Sequence, residues 1–346
     1  MLYPVAIVSA IGNAAKNGVL IKGGTALEVA STVKTIAFDK TGTLTAGKPK
    51  VSKIITLEDS EQNLLSIART IEEYSQHPIA LAIVNYALDH SISNYKAHSF
   101  KTIVGKGAQA SIDGVDYFAG KPNLFIELGV SIDARIQNLI DDAQNEGNTI
   151  VVVGTRTKLL GIILVADYVR DVTVKALNKL KEIGIKQIIM LTGDNEGTAR
   201  KVAAETGVDR YIAELLPEDK VNTVKELQNE GKIVAMVGDG INDAPALATA
   251  NLGIAMGGAG TDTAMETADI ILMADNLERL PYTIKLSGQA LRIIKQNIWF
   301  SISINLVALL LVFPGWLTLW NVVLSDTGTA LIVTLNSMRL MRIRAL

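Results

Sequence analysis

Three loops carrying aspartates follow three apolar runs: Asp39-Lys40-Thr41-Gly42-Thr43, Thr192-Gly193-Asp194 and Gly238-Asp239-Gly240-Ile241-Asn242-Asp243. Phosphoryl transfer needs a nucleophile, a cation to offset phosphate charge, and donors around the equatorial oxygens. Asp39 is the candidate nucleophile, because carboxylates can form aspartyl-phosphates. Asp239 is the candidate Mg²⁺ ligand, since that hard ion takes few carboxylates plus phosphate oxygens. The Thr41 backbone carbonyl is a further candidate ligand, and Asp243 can orient the groups around the metal. Thr192, Gly193 and Asn242 can donate hydrogen bonds to a phosphoryl group, and Asp194 completes the second loop. Lys220, in Pro217-Glu218-Asp219-Lys220, can supply positive charge. A single Asp in a loop is more simply a helix cap or turn residue, and a single Lys on a helix is usually a solvated face. Three aspartate loops at consecutive strand ends, each with glycine, are harder to read that way.

These loops need a frame. Apolar, β-branched runs at 33–38, 187–191, 233–237, 252–256 and 269–273 alternate, in the later part, with helical patterns at 172–183, 196–205, 218–229 and 244–250. That alternation predicts an α/β fold with a doubly wound parallel sheet, whose ligands bind beyond the carboxyl ends of the strands. About 150 residues separate the first run from the second, too many for one crossover. An inserted α+β domain is therefore expected over 51–158. Its helices are predicted at 61–73, 79–88 and 133–145, and its strands at 102–104, 109–112, 116–119, 150–153 and 160–165.

Composition narrows the class. Of 346 residues, 49% are hydrophobic and 20% charged, which excludes a disordered chain. Lys plus Arg is 33 and Asp plus Glu is 35, so no basic footprint for nucleic acid is present. There is no Cys, hence no disulfide, thiolate metal site or Cys nucleophile. Mean hydropathy is +0.29, and much of the excess lies in 298–338, where Asp326 is the one charge. Pro314 and Gly315 divide that stretch into two segments of about 20 residues, each long enough to cross a bilayer. Arg292 and Lys295 precede it, and Arg339, Arg342 and Arg344 follow, so both ends are expected in the cytoplasm. Trp299, Trp316 and Trp320 fall near segment ends. A buried helical hairpin in a large soluble core is the alternative. Residues 1–12 are apolar but too short to span; 1–32 reads as the end of a membrane helix and its stalk.

The motifs resemble those of the P-type ATPases, a family in the haloacid dehalogenase superfamily. Asp39-Lys40-Thr41-Gly42-Thr43-Leu44-Thr45 is similar to the family's phosphorylation motif, and the other two loops resemble its further signatures, in order. The resemblance implies that Asp39 is phosphorylated by ATP and that Asp39, Thr41 and Asp239 bind Mg²⁺. It also implies a phosphorylation domain over 33–50 plus 159–283, a nucleotide-binding domain over 51–158, and a stalk with two transmembrane helices over 284–346. Within the insert, Ser75-Gln76-His77-Pro78 resembles the Ser-Glu-His-Pro of the heavy-metal-transporting class, with Gln for Glu. Glu72 fits that class's adenine-site Glu, Gly105-Lys106-Gly107 its Gly-x-Gly, and Gly147-Asn148 another paired position. Asp326-Thr327-Gly328 resembles the Asp-x-Gly of the zinc/cadmium/lead group, which makes Asp326 a candidate ligand for the transported cation. That group carries a Lys eight residues after the Asn of the preceding helix. Counting from Asn297 reaches Asn305 here, so the charge partner is missing.

The resemblance thus implies ATP, Mg²⁺, a divalent heavy-metal cation and a lipid bilayer as partners, with a multi-pass protein of the plasma membrane and cytoplasmic catalytic domains. It covers the C-terminal half of such a pump. No Cys-Pro-Cys and no Thr-Gly-Glu of an actuator domain occur in the chain. Related phosphatases place an acid/base Asp two residues after the nucleophile, where Thr41 stands. The chain is therefore expected to bind ATP and phosphorylate itself, to turn over slowly, and to need a separate N-terminal half for transport. The same motifs admit a haloacid dehalogenase-type phosphohydrolase of small phosphate esters, and also an inert or split-gene fragment.

Overall fold

The computed structural model describes residues 2–240, 243–257, 266–312 and 318–343. Ile241, Asn242, Pro314, Gly315, Trp316 and Arg344, named above, lie outside the described residues. The chain divides into two compact units: Met1–Leu44 with Asp171–Gly193 and Thr206–Leu346, and Thr45–Arg170 with Asp194–Glu205.

The first unit is built on a seven-stranded sheet. Its order is β1 (Val19–Ile21), β13 (Ile270–Leu272), β12 (Leu252–Met256), β11 (Val234–Gly238), β2 (Thr35–Asp39), β9 (Gln187–Leu191) and β10 (Arg210–Ile212). All pairs are parallel except β1 on β13. Strands β2, β11 and β12 are buried along their whole length, which is why they read as unbroken apolar runs rather than alternating ones. Helices α7 (Asp171–Glu182), α9 (Pro217–Asn229) and α10 (Ala244–Thr249) lie within two residues of their expected ends. The edge strands β1 and β10 lie outside every expected run; each has three residues, too few to show a period.

Among the described residues, four further helices belong to this unit. They are α1 (Leu2–Lys16), α2 (Gly24–Thr32), α11 (Arg279–Val312) and α12 (Leu319–Met338). The 34 residues of α11 span about 50 Å at 1.5 Å per residue, and the helix changes character along the way. Leu280, Tyr282, Leu286 and Ala290 are fully buried, whereas Ile302, Leu306 and Leu309 are more than half exposed. The change falls at Asn297, which is buried and tied to α12: it donates to Ser337 Oγ (2.9 Å) and accepts from Asn336 Nδ2 (2.8 Å). From α1, Asn13 donates to the carbonyls of Leu340 and Ile343, each at 2.8 Å. Among the described residues one helix, α11, is long and apolar enough to cross a membrane, where the sequence pattern predicts two. The second, α12, carries Asn321, Ser325, Asp326 and Asn336 among its apolar residues, which lowers its hydropathy.

The second unit holds a six-stranded antiparallel sheet. Its order is β3 (Lys50–Thr56), β8 (Leu159–Ala166), β7 (Thr149–Gly154), β6 (Val115–Gly120), β5 (Gly107–Ile112) and β4 (Ala97–Ile103). Helix α3 (Glu61–Glu72) starts at Ser60, whose side chain accepts from the Asn63 amide at 3.2 Å. It buries Leu64, Leu65, Ile67, Ala68 and Ile71 in the core beneath the sheet, each large side chain stabilising by about 1.5–3 kcal/mol. Helices α4 (Pro78–Asp89), α5 (Pro122–Glu127) and α6 (Ala134–Asn145) complete this part. Strand β8, expected among the insert's strands at 160–165, pairs with β3 on one side and β7 on the other, so 159–166 is an inner strand of this sheet. Helix α8 (Glu196–Thr206) belongs largely to this unit as well.

Candidate active site

Strand register brings the loops of the first unit to one edge. Phe38 lies opposite Val237 on β11, and Asp39 lies opposite Leu191 on β9. Asp39 therefore ends its strand level with Gly238, one residue before Asp239, and beside the residue that precedes Thr192. Asp39 and Asp243 are buried, at 6% and 1% exposure. Asp243 stands at the start of α10, yet its side chain makes no capping bond. Instead it accepts from Lys220 Nζ at 2.7 Å, and Asp39 Oδ1 accepts from the same nitrogen at 2.5 Å. Lys220 is itself only 8% exposed, so the solvated-face alternative fails for it. Neighbouring Asp219 closes the helix start by accepting from the Leu216 amide at 3.0 Å.

Two glycines beyond the candidate site residues make this packing possible. Gly42 has φ +72, and a Cβ there would lie 3.3 Å from Asp239 Oδ2. A Cβ on Gly238 would lie 2.9 Å from Asp243 Oδ2. Their signal in the sequence is a glycine on the same turn as a functional carboxylate.

Burial is the largest cause raising the Asp39 carboxyl, Asp243 and Asp239 raise it as well, Lys220 lowers it, and together they leave it at about 7. Burial alone would depress Lys220, but Asp39 and Asp243 together outweigh it and hold the ammonium above its ordinary range. Asp39, Asp239 and Asp243 bring hard carboxylate oxygens to this edge of the sheet, which suits Mg²⁺. Among the described residues no three His, Cys, Asp or Glu side chains form a complete metal cage, and Mg²⁺ needs only one or two carboxylates when phosphate oxygens supply the rest. Asp39, Asp239 and the Thr41 carbonyl are the groups that would hold it.

Thr192 is buried and its backbone is engaged, donating to Ile212 and accepting from Leu215. Gly193 follows in the same unit, whereas Asp194 falls in the other. Asn242 lies outside the described residues.

The second unit has its own cavity of about 250 Å³, lined by Glu72, Ser75, His77, Gly105, Lys106 and Gly107 among others. Gly107 lets β5 approach β6 closely at its edge: a Cβ there would sit 2.2 Å from the Ala119 carbonyl. His77 caps α4, its Nδ1 accepting from the Ile79 amide at 3.3 Å. Burial pushes the Glu72 carboxyl up to about 7. Lys106 and Lys121 also line this cavity; neither carries a motif signal of its own. Gly147 and Asn148, grouped with this site on sequence, do not line it. Gly147, at φ +83, ends α6, and Asn148 is held by Ser52 Oγ (2.8 Å) and the Ala143 carbonyl (3.1 Å). Asp326 is exposed on α12.

Comparison with known proteins accords with this geometry. Residues 33–251 match the haloacid dehalogenase-like hydrolase family. The chain is 52% identical, over 99% of its length, to a probable cadmium-transporting ATPase of Staphylococcus aureus (strain MRSA252), of which it covers 48%. It superposes on a zinc-transporting PIB-type ATPase in the E2.Pi state with TM-score 0.89 and 40% identity, covering 99% of this chain and 55% of that one. It also superposes on the catalytic domain of the CPx-ATPase CopB-B with TM-score 0.65 and 32% identity, covering 80% of this chain and 98% of that one. The chain spans about half the length of the curated relatives it matches. It belongs to the haloacid dehalogenase-like hydrolases and, among them, to the heavy-metal-transporting class of P-type ATPases, whose C-terminal part it matches.

Proposed function

We propose that this chain is the catalytic and C-terminal membrane part of an ATP-driven heavy-metal pump, and that Asp39 accepts the terminal phosphoryl group of ATP. The buried Asp39–Lys220–Asp243 cluster at the carboxyl edge of a parallel sheet carries this reading. Lys220 holds Asp39 Oδ1, which leaves the other oxygen to attack the γ-phosphorus. The bond from that phosphorus to the β,γ-bridging oxygen breaks, ADP leaves with the electron pair, and an acyl-phosphate remains. Mg²⁺, when bound, offsets the charge of the phosphates and of Asp39. Thr192 and Gly193 supply donors beside the transferred group. The cavity with Glu72, His77, Gly105 and Gly107 holds the nucleotide, Glu72 facing the base.

Transport of a divalent heavy-metal cation is proposed for the pump to which this part belongs, with Asp326 as a ligand on the path. The relatives' printed names span cadmium and zinc, and Asn305 stands where a charge partner for Asp326 is expected. The exposed apolar half of α11, with Arg292 and Lys295 before it, supports a membrane location with both catalytic units on the cytoplasmic side.

The test is incubation with γ-labelled ATP and Mg²⁺, acid quench and gel separation. A hydroxylamine-sensitive label, lost in Asp39→Asn, is expected. Absence of label, or label retained in Asp39→Asn, overturns the assignment. Hydrolysis of small phosphate esters in preference to ATP would favour a phosphohydrolase.

A further inference from the structure

Helix α11 carries one stripe whose character changes along its length. Lys285, Gly288, Arg292, Lys295 and Trp299 recur at alternating spacings of three and four, and so share one face of the helix. The next positions in that register, Ile302, Leu306 and Leu309, are exposed apolar residues. At 1.5 Å per residue, Arg292 and Trp299 are about 10 Å apart along the axis, and Leu309 lies about 15 Å further on. The surface beside the basic end is hollowed. One cavity of about 580 Å³ is lined by Ser31, Gly288, Arg292, Lys295 and Trp299 among others. A second, of about 420 Å³, shares Ser31, Gly288 and Arg292 and adds Lys34 and Lys285. Among the described residues no Asp or Glu lines either cavity. A Cβ on Gly288 would meet nothing within 4 Å, so the glycine leaves open space in both.

A basic hollow, a tryptophan and an exposed apolar strip follow one another in the order of a leaflet's phosphates, interface and acyl chains. Arginine presents a planar fork of donors that matches phosphate, and lysine adds a mobile point charge. We propose that this hollow binds the phosphate headgroup of an anionic phospholipid of the cytoplasmic leaflet, with an acyl chain along Ile302, Leu306 and Leu309. A free phosphate shares the headgroup's chemistry, but the continuity of the hollow with the apolar strip favours the lipid. The inference rests on the membrane reading of α11 given above.

The test places the whole chain in nanodiscs of phosphatidylcholine containing phosphatidylglycerol as a minor component. Lipid retained after mild detergent extraction is then quantified by native mass spectrometry. Phosphatidylglycerol is expected to be enriched several-fold over its bulk share. Arg292→Gln with Lys295→Gln should return the ratio to bulk. So should Gly288→Leu, which fills the hollow and leaves its charges in place. Lys16→Gln with Arg342→Gln removes two exposed cations off the stripe and should leave the enrichment intact. A chain that stays out of the membrane on alkaline extraction overturns the membrane reading and the headgroup site with it. A chain that inserts but shows no enrichment, or the same enrichment without Arg292 and Lys295, overturns the headgroup site alone. Release of all retained phosphatidylglycerol by millimolar inorganic phosphate would mark a free-anion site and overturn the lipid assignment.

Discussion

Asp39 in the first unit and Glu72 in the second are both carboxyls pushed up to about 7, and they arrive there differently. For Asp39, burial comes first, but Asp243, Lys220 and Asp239 all act on it in opposing directions. For Glu72, burial is the cause; Ile79, Ala80, Ile103 and Val151 stand among the residues that line its cavity. The first pocket adds to burial a set of charge interactions, in which Asp243 and Asp239 raise the carboxyl and Lys220 lowers it, so it also responds to any charge brought in or taken away. The second is set by the exclusion of water, so it responds to what covers it. Those are the properties expected of a phosphoryl-transfer centre and of a base-binding cleft respectively.

The largest effect should come from removing the cation in the first pocket. Lys220→Met keeps the length of the side chain and deletes the ammonium that both Asp39 and Asp243 engage. Two buried carboxylates then face each other without compensation, and breaking a buried pair in this way costs about 3–5 kcal/mol. Hydrogen exchange read by mass spectrometry should show β2 and β11 losing protection while α3 in the second unit is unchanged. Equal loss in both units, or none in β2, would erase the contrast between the two pockets. A second substitution, Asp243→Asn, removes one of the two carboxylates that raise Asp39 and should cost less than Lys220→Met.

These pairings mark the limit of what the sequence discloses. Five of the six parallel strands are legible because a strand buried on both faces is apolar throughout. Strand β3 is not: Lys50 and Lys53 interrupt Val51, Ile54 and Ile55, and the run resembles a polar connection. The aspartates are legible because each shares a loop with glycine. Their meeting on one lysine is not, since Lys220 is 181 positions from Asp39 and 23 from Asp243, and only strand register and helix placement bring them together. Gly147-Asn148 is legible as the turn that ends α6, since a glycine in the left-handed region is what ends a helix, and Asn148 lines a hollow that shares Lys121, Thr149 and Ile150 with the Glu72 cavity.

The second pocket makes an intermediate, pH-dependent prediction. The Glu72 carboxyl is raised from 4.5 to about 7 in the folded chain, so the native state binds more protons than the unfolded one between those values. Its contribution to stability is fully present below about pH 4.5 and is lost as pH rises through 7. Between pH 5 and pH 8 the loss should be about 2–3 kcal/mol, since a tenfold difference in proton affinity between the two states is worth about 1.4 kcal/mol. Glu72→Gln removes the titration. Exchange protection of α3 should therefore be flat with pH in the variant and should fall with pH in the parent. A parent that gains protection on alkalinisation would reverse the sign and refute burial as the cause. Lys220→Met should leave this slope where it was.

The smallest effect separates structure from ligand at His77. This side chain lines the cavity of Glu72 and also caps α4, accepting from the Ile79 amide. At 3.3 Å the cap is long, so His77→Ala should cost the lower part of the usual range, about 0.5–1 kcal/mol. His77→Asn restores a favoured capping oxygen without the imidazole. If the ring contacts the nucleotide, both variants should weaken ATP binding by a similar factor in isothermal titration, while only the alanine variant loses protection in α4. If His77 matters only as a cap, the asparagine variant should regain affinity and stability together. The cleft would then be defined by Glu72 and the backbone at Gly105 and Gly107, and the second pocket would be more purely apolar than its present lining suggests.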